Sequence, residues 1–126
     1  MCLIVFSVKQ HPAFPLVVAA NRDEFFRRPT AAMDWWHSET AGRDVLAGRD
    51  LQSGGTWLAV DEDGAVAAVT NVREGSQVTG AHSRGELPLM ALTDNSDTLA
   101  ARLQTRKSDY SGFNLVRLSG HSGWYY

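Results

Sequence analysis

The chain has 126 residues, about one ordinary domain, with 44% hydrophobic and 21% charged residues and a formal net charge of -2. That composition is globular and excludes an overall basic field of the kind that gathers nucleic acid or anionic membrane. No apolar run approaches the ~20 residues of a membrane span, and a single cysteine permits no internal disulfide, so a cytoplasmic protein with no membrane span is expected.

In chain order, Cys2 to Val8 is a continuous apolar run, the pattern of a strand buried on both faces. The segment KQHPAFP, with two prolines, reads as a turn, and Leu16 to Ala20 as the returning strand of a hairpin. NRDEFFRRPT then leaves the sheet, and residues 31–44 read as loop, with Trp35 and Trp36 docked as an apolar cover. Val45 to Gly48 reads as a short strand. Thr56 to Val60 and Ala65 to Thr70 read as two more, joined at Asp63-Gly64, a strong hairpin signal. The small residues Ala65, Ala67 and Ala68 permit another layer to approach closely.

From Ser83 the period becomes helical. Leu87, Met90 and Ala91 share one face, and Leu99 and Leu103 share another. Ser83 with Glu86 matches a capping box, and Ser96 is positioned to cap the second helix. Phe113 to Leu118 and the aromatic run Trp124 to Tyr126 return to strand. The order predicts an α+β fold, mostly antiparallel, with both helices on one face of a sheet. The last strand ends without bounding turn residues. Residues 1–126 are therefore expected to be a single partial domain, the N-terminal part of a longer fold. Open sheet edges would then invite homo-oligomers.

The chemistry concentrates at the start. Removal of Met1 would leave Cys2 with a free α-amine beside its thiol. Amine and thiol have reference pKa values of about 8 and about 8.5, so the amine can take the thiol proton near neutral pH. If the turn lies near residues 11–14, hairpin pairing brings position 2 opposite residues 20–24, the polar stretch Asn21, Arg22, Asp23 and Glu24. Arg22 would favour the thiolate, and Asp23 could orient the amine. Two alternatives stand beside this. A cysteine in an apolar strand is ordinarily a small buried hydrophobe. Arg22 can also simply pair with Asp23 or Glu24.

Other candidates are weaker. The four histidines (His11, His37, His82, His121) are scattered without metal-ligand spacing, so no metal and no cofactor are expected. SGGTW lacks the strand–loop–helix context of a phosphate cradle and reads as a close backbone approach beside a site. Arg49 and Asp50 either line a pocket or pair with each other. Arg73 shares a face with Asn71 and could meet an anionic substrate. Arg84 opens a helix, where a cation is disfavoured, and Arg27 and Arg28 read as solvated. Substrate contacts are expected from Asn21, Glu24, Arg49, Trp57 and Arg73.

The segments MCLIVF, NRDEF, AGRDLQSGGTWLAV, GAVAAVTNVRE, SRGEL and FNLV closely resemble the NRDE-motif family, also called the Transport and Golgi Organization 2 family. The resemblance extends over essentially the whole chain. It implies likeness to the cysteine N-terminal nucleophile (Ntn) hydrolases of the bile salt hydrolase and penicillin V acylase type. Those have an αββα sandwich and cleave linear amides. It implies further that Cys2 matches the nucleophile and that Arg22 and Asp23 approximate the flanking arginine and aspartate. Asn71 resembles an asparagine whose backbone N–H helps form the oxyanion hole. The acylases separate their arginine from their aspartate, whereas here the two are adjacent, and a second oxyanion asparagine and a later arginine have no match in this chain. The resemblance equally implies a non-catalytic alternative, a binding or trafficking protein handling haem or a lipid-like ligand, as associated with animal relatives.

Overall fold

A computed structural model describes residues 2–72 and 80–126. The first hairpin forms where its apolar runs predict, but its first strand is not buried on both faces: it stands in a separate two-stranded sheet, and Leu3, Val5 and Phe6 are half or more exposed. β1 (Leu3–Val8) pairs antiparallel with β2 (Leu16–Asn21), in register from Leu3↔Asn21 to Val8↔Leu16. Six further strands form a second, wholly antiparallel sheet in chain order. They are β3 (Thr30–Ser38), β4 (Arg43–Asp50), β5 (Leu58–Asp61), β6 (Val66–Asn71), β7 (Phe113–Leu118) and β8 (Gly123–Tyr125). Asp61-Glu62-Asp63-Gly64 makes the expected turn, with Gly64 at φ 78. That left-handed conformation is costly for any residue with a Cβ.

Between β6 and β7 the chain leaves the sheet as α1 (Leu87–Thr93) and α2 (Ser96–Arg106). α1 is buried from Leu87 to Leu92 and lies across β5, β6 and β7. The facing strand residues are small. Ala47, Ala59 and Ala67 are all fully buried, which lets the helix backbone settle close to the sheet. α2 packs on α1 and buries Leu99 and Leu103, each worth about 1.5–3 kcal/mol of transfer free energy. On the opposite face, Leu58, Val60 and Val66 border a cleft that they share with Leu16 and Val18 of β2. The architecture is α+β: helices, a six-stranded sheet, then the two-stranded hairpin. Among the described residues no helix is long and apolar enough to cross a membrane.

Several local expectations are corrected. Residues 31–44 are not loop, because Thr30–Ser38 is a nine-residue edge strand with a register shift between Ala31 and Asp34. Pairing with β4 holds it, together with side-chain clasps rather than an apolar face. Trp36 Nε1 donates to the Ala47 carbonyl at 3.0 Å, and His37 Nδ1 sits 2.8 Å from Asp44 Oδ1. Trp36 is therefore the docked cover. Trp35 is half exposed. Ser96 does not cap α2. Asn95 does, accepting the Thr98 N–H on its side-chain oxygen at 2.9 Å. The capping box is half formed. Ser83 Oγ accepts from the Gly85 N–H, but Glu86 turns away to take the hydroxyl of Tyr110.

Candidate functional site

The Leu3↔Asn21 pairing places Cys2 opposite Arg22, one step past the ladder. Asn21 closes the hairpin by accepting the Leu3 N–H on its side-chain oxygen at 2.7 Å. β2 ends there, so strand alternation no longer governs Arg22 and Asp23. The two adjacent residues go different ways. Asp23 presents its main chain, donating N–H to Cys2 Sγ at 3.4 Å. Arg22 directs its side chain elsewhere.

Cys2 opens into a cleft of about 390 Å3 that also takes in Arg22, Asp23, Glu24, Trp57 and Asn71. Six sequence segments meet there: the N-terminus, the NRDE turn, the glycine-rich loop after β4, the end of β6, the Gly80–Gly85 stretch that enters α1, and Ser111 just before β7. The orientation of β6 bears on Asn71. Val69 donates its N–H to the Trp57 carbonyl and Val72 donates to Gly112, so alternation turns the Asn71 N–H toward the Trp57 edge, away from β7. Of the other expected contacts, Arg49 lies apart, its guanidinium 4.8 Å from the Trp36 ring centroid. Arg73 lies outside the described residues.

The glycine-rich loop and the SRGEL stretch, distant in sequence, form one seam. Thr56 N–H donates to the Gly85 carbonyl at 2.9 Å, and a Cβ on Gly55 would lie 2.4 Å from the Gly85 carbonyl carbon. Only glycine fits that approach. Upstream, a Cβ on Gly48 would meet the Trp57 ring at 2.6 Å, so Gly48 makes the seat for that indole.

Sequence reasoning missed the centre of the charge network. Arg28 is not simply solvated. Its Nε donates to Asp50 Oδ2 at 2.7 Å and its Nη2 to Ser53 Oγ at 2.8 Å. Asp50 does not pair with Arg49, its neighbour, since adjacent strand residues face opposite ways. It takes Arg22 Nη2 at 3.3 Å as well as Arg28. Glu24 brackets both cations at 3.9 and 3.7 Å. Burial opposes charge on Asp50 and is the largest single influence. The N–H of Ser53, Arg28 and the N–H of Gln52 together outweigh it and hold the carboxyl below its usual range. Arg84 lines the same cleft and donates Nη1 to the Gly112 carbonyl at 2.8 Å. Among the described residues no group of three or more His, Cys, Asp or Glu could hold a metal.

The family model described as Transport and Golgi organisation 2 matches residues 1–126. A Transport and Golgi organization protein 2 homolog of Bos taurus is 38% identical over 125 residues, 92% of this chain and 44% of the relative. The Mus musculus homolog is 36% identical over the same shares. Transport and Golgi organization protein 2 of Drosophila melanogaster is 32% identical over 132 residues, 94% of this chain and 46% of its own length. The chain thus spans less than half the length of these curated relatives.

Proposed function

This chain belongs to the Transport and Golgi organisation 2 family, and from that premise we propose that it carries an N-terminal nucleophile site in which Cys2 hydrolyses a linear amide. The observation that carries the reading is the Asp23 N–H on Cys2 Sγ, within a cleft shared with Arg22 and Asn71. With Met1 removed, the α-amine of Cys2 takes the thiol proton. The thiolate attacks the amide carbonyl carbon, and the resulting oxyanion is received by the Asn71 N–H. Such a donor is worth about 2.7–4 kcal/mol of transition-state stabilisation. The C–N bond breaks as the α-ammonium returns its proton to the leaving amine. Water then attacks the thioester, giving up a proton to the α-amine, and the acid departs as the thiol is restored.

Arg22, held between Asp50 and the Trp57 ring, contributes positive charge to the cleft that Cys2 lines, and Trp57 and Glu24 wall the substrate. The test is mass spectrometry of the intact protein after an electrophilic acyl probe, with amide turnover measured in parallel. Expected are a free N-terminal Cys2, one acyl adduct, and loss of both adduct and turnover in Cys2→Ala. A trimmed protein that takes no adduct refutes the reading.

A second reading, ligand binding without chemistry, draws on the apolar flank of the cleft. Phe25 and Phe26 are 84% and 109% exposed beside Glu24 and Arg28. A lipid-like or haem-like ligand with a large apolar body would cover them. Retention of Met1, which acylates the amine, together with saturable binding that Phe26→Ser abolishes, favours this second reading.

A further inference from the structure

We propose that Asp50 is the positioning residue of this site, acting on Cys2 through Arg22. The inference rests on the reading of Cys2 as nucleophile. Arg22 is the first residue past β2 and stands opposite Cys2 in the hairpin. A long guanidinium side chain at such a place has many rotamers open to it, and its charge is useful to the thiolate only where it is held.

Asp50 supplies the hold. It ends β4 and is 9% exposed. Its Oδ1 accepts the N–H groups of Gln52 and Ser53 at 2.9 and 3.1 Å, which fixes the plane of the carboxylate. Its Oδ2 takes Arg28 Nε at 2.7 Å and Arg22 Nη2 at 3.3 Å. Arg28 cannot swing aside, because its other arm is tied to Ser53 Oγ. From the remaining side, the Arg22 guanidinium lies 4.6 Å over the Trp57 ring, and that ring is seated on Gly48. A carboxylate on one side and an aromatic floor on the other leave Arg22 one position, beside the cleft that holds Cys2.

Charge alone and positioning predict opposite signs. The Asp50 carboxylate is negative, so its field disfavours the thiolate, and removing it without moving Arg22 would make Cys2 more reactive. Releasing Arg22 makes Cys2 less reactive. The charged and titratable groups that line the cleft with Cys2 are Arg22, Asp23, Glu24, Arg28, Asp50, His82 and Arg84, beside the α-amine of Cys2 itself, and the Asp50 change is read against the same remaining groups in both Arg22 backgrounds.

The experiment is the rate of iodoacetamide alkylation across about pH 5 to 9, a window that spans the reference thiol value. It is read as a mass increment in a protein whose only cysteine is Cys2. Asp50→Asn and Gly48→Ala are each measured with Arg22 present and in an Arg22→Gln background. Gly48→Ala displaces Trp57 without altering charge, and keeps the question open to test if Asp50→Asn does not fold. Expected is alkylation about tenfold slower at neutral pH, with the apparent midpoint raised by about one unit. In the Arg22→Gln background the same changes should have less than about a twofold effect, the mark of a coupled pair. Faster or unchanged alkylation in Asp50→Asn, or equal slowing without Arg22, overturns the proposal. Alkylation needs no acyl transfer, so loss of the hydrolase reading and loss of this one are separately visible.

Discussion

Gly55→Ala tests the seam between the glycine-rich loop and the entry to α1. The new Cβ would lie 2.4 Å from the Gly85 carbonyl carbon, 2.5 Å from its oxygen and 2.8 Å from its Cα. All three are backbone atoms, so no side chain can rotate out of the way. The two segments must separate, and the Thr56 N–H loses its 2.9 Å bond to Gly85. Overpacking costs about 1–3 kcal/mol and the lost hydrogen bond about 0.5–1.5 kcal/mol. The stiffer unfolded chain returns about 0.4–1 kcal/mol. The net expectation is a loss of about 0.5–4 kcal/mol, centred on about 2 kcal/mol. Urea unfolding followed by circular dichroism should show a midpoint lowered by about 1 M, given a slope near 2 kcal/mol/M. Hydrogen exchange should show faster opening at Thr56. A midpoint within experimental error of the parent protein would mean that the seam yields freely and that this reasoning is wrong.

Two further outcomes follow from the structure. Asn95→Ala should cost about 0.5–2 kcal/mol by thermal unfolding while Ser96→Ala stays within about 0.5 kcal/mol, and equal effects would reject Asn95 as the cap. Because the folded-state value of Asp50 is depressed, its contribution is present above the unfolded carboxyl value of about 3.9 and disappears as pH falls through the lower folded value. Stability measured against pH should therefore fall on acidification, and the fall should be shallower in Asp50→Asn.

The readable parts of the sequence were those where neighbours along the chain decide the outcome. The paired apolar runs around KQHPAFP, the turn at Gly64 and the helical period from Leu87 all became the elements they suggest. The small residues of the Ala65–Ala68 stretch also lie buried as expected. β3 was hidden because an edge strand with one half-buried indole lacks the alternation that marks a strand, and backbone pairing to β4 holds it instead. The helix cap was displaced by one residue, since Asn95 and Ser96 are both good caps and only geometry chooses between them.

At the site, hairpin topology alone brought Arg22 and Asp23 toward Cys2. It could not show that Asp23 would meet the sulfur through its N–H rather than its carboxylate. The Asp50 network was illegible for a related reason. Its partners Arg22 and Arg28 come from a turn more than twenty residues away, and a run such as FFRR reads locally as a solvated charge cluster.

The excursion between β6 and β7 also bears on the order in which the sheet is expected to close. β3 to β6 join through short connections, whereas the pairing of Asn71 with Phe113 must close a long loop containing both helices. Closing that loop carries a larger entropic cost, which falls before the contacts it enables are made. Gly80 to Gly85 and Ser111, which wall the cleft, belong to this same excursion. The expectation is that the surroundings of Cys2 close after the local strands and the first hairpin, so that enclosing the thiol depends on the contact made farthest along the chain.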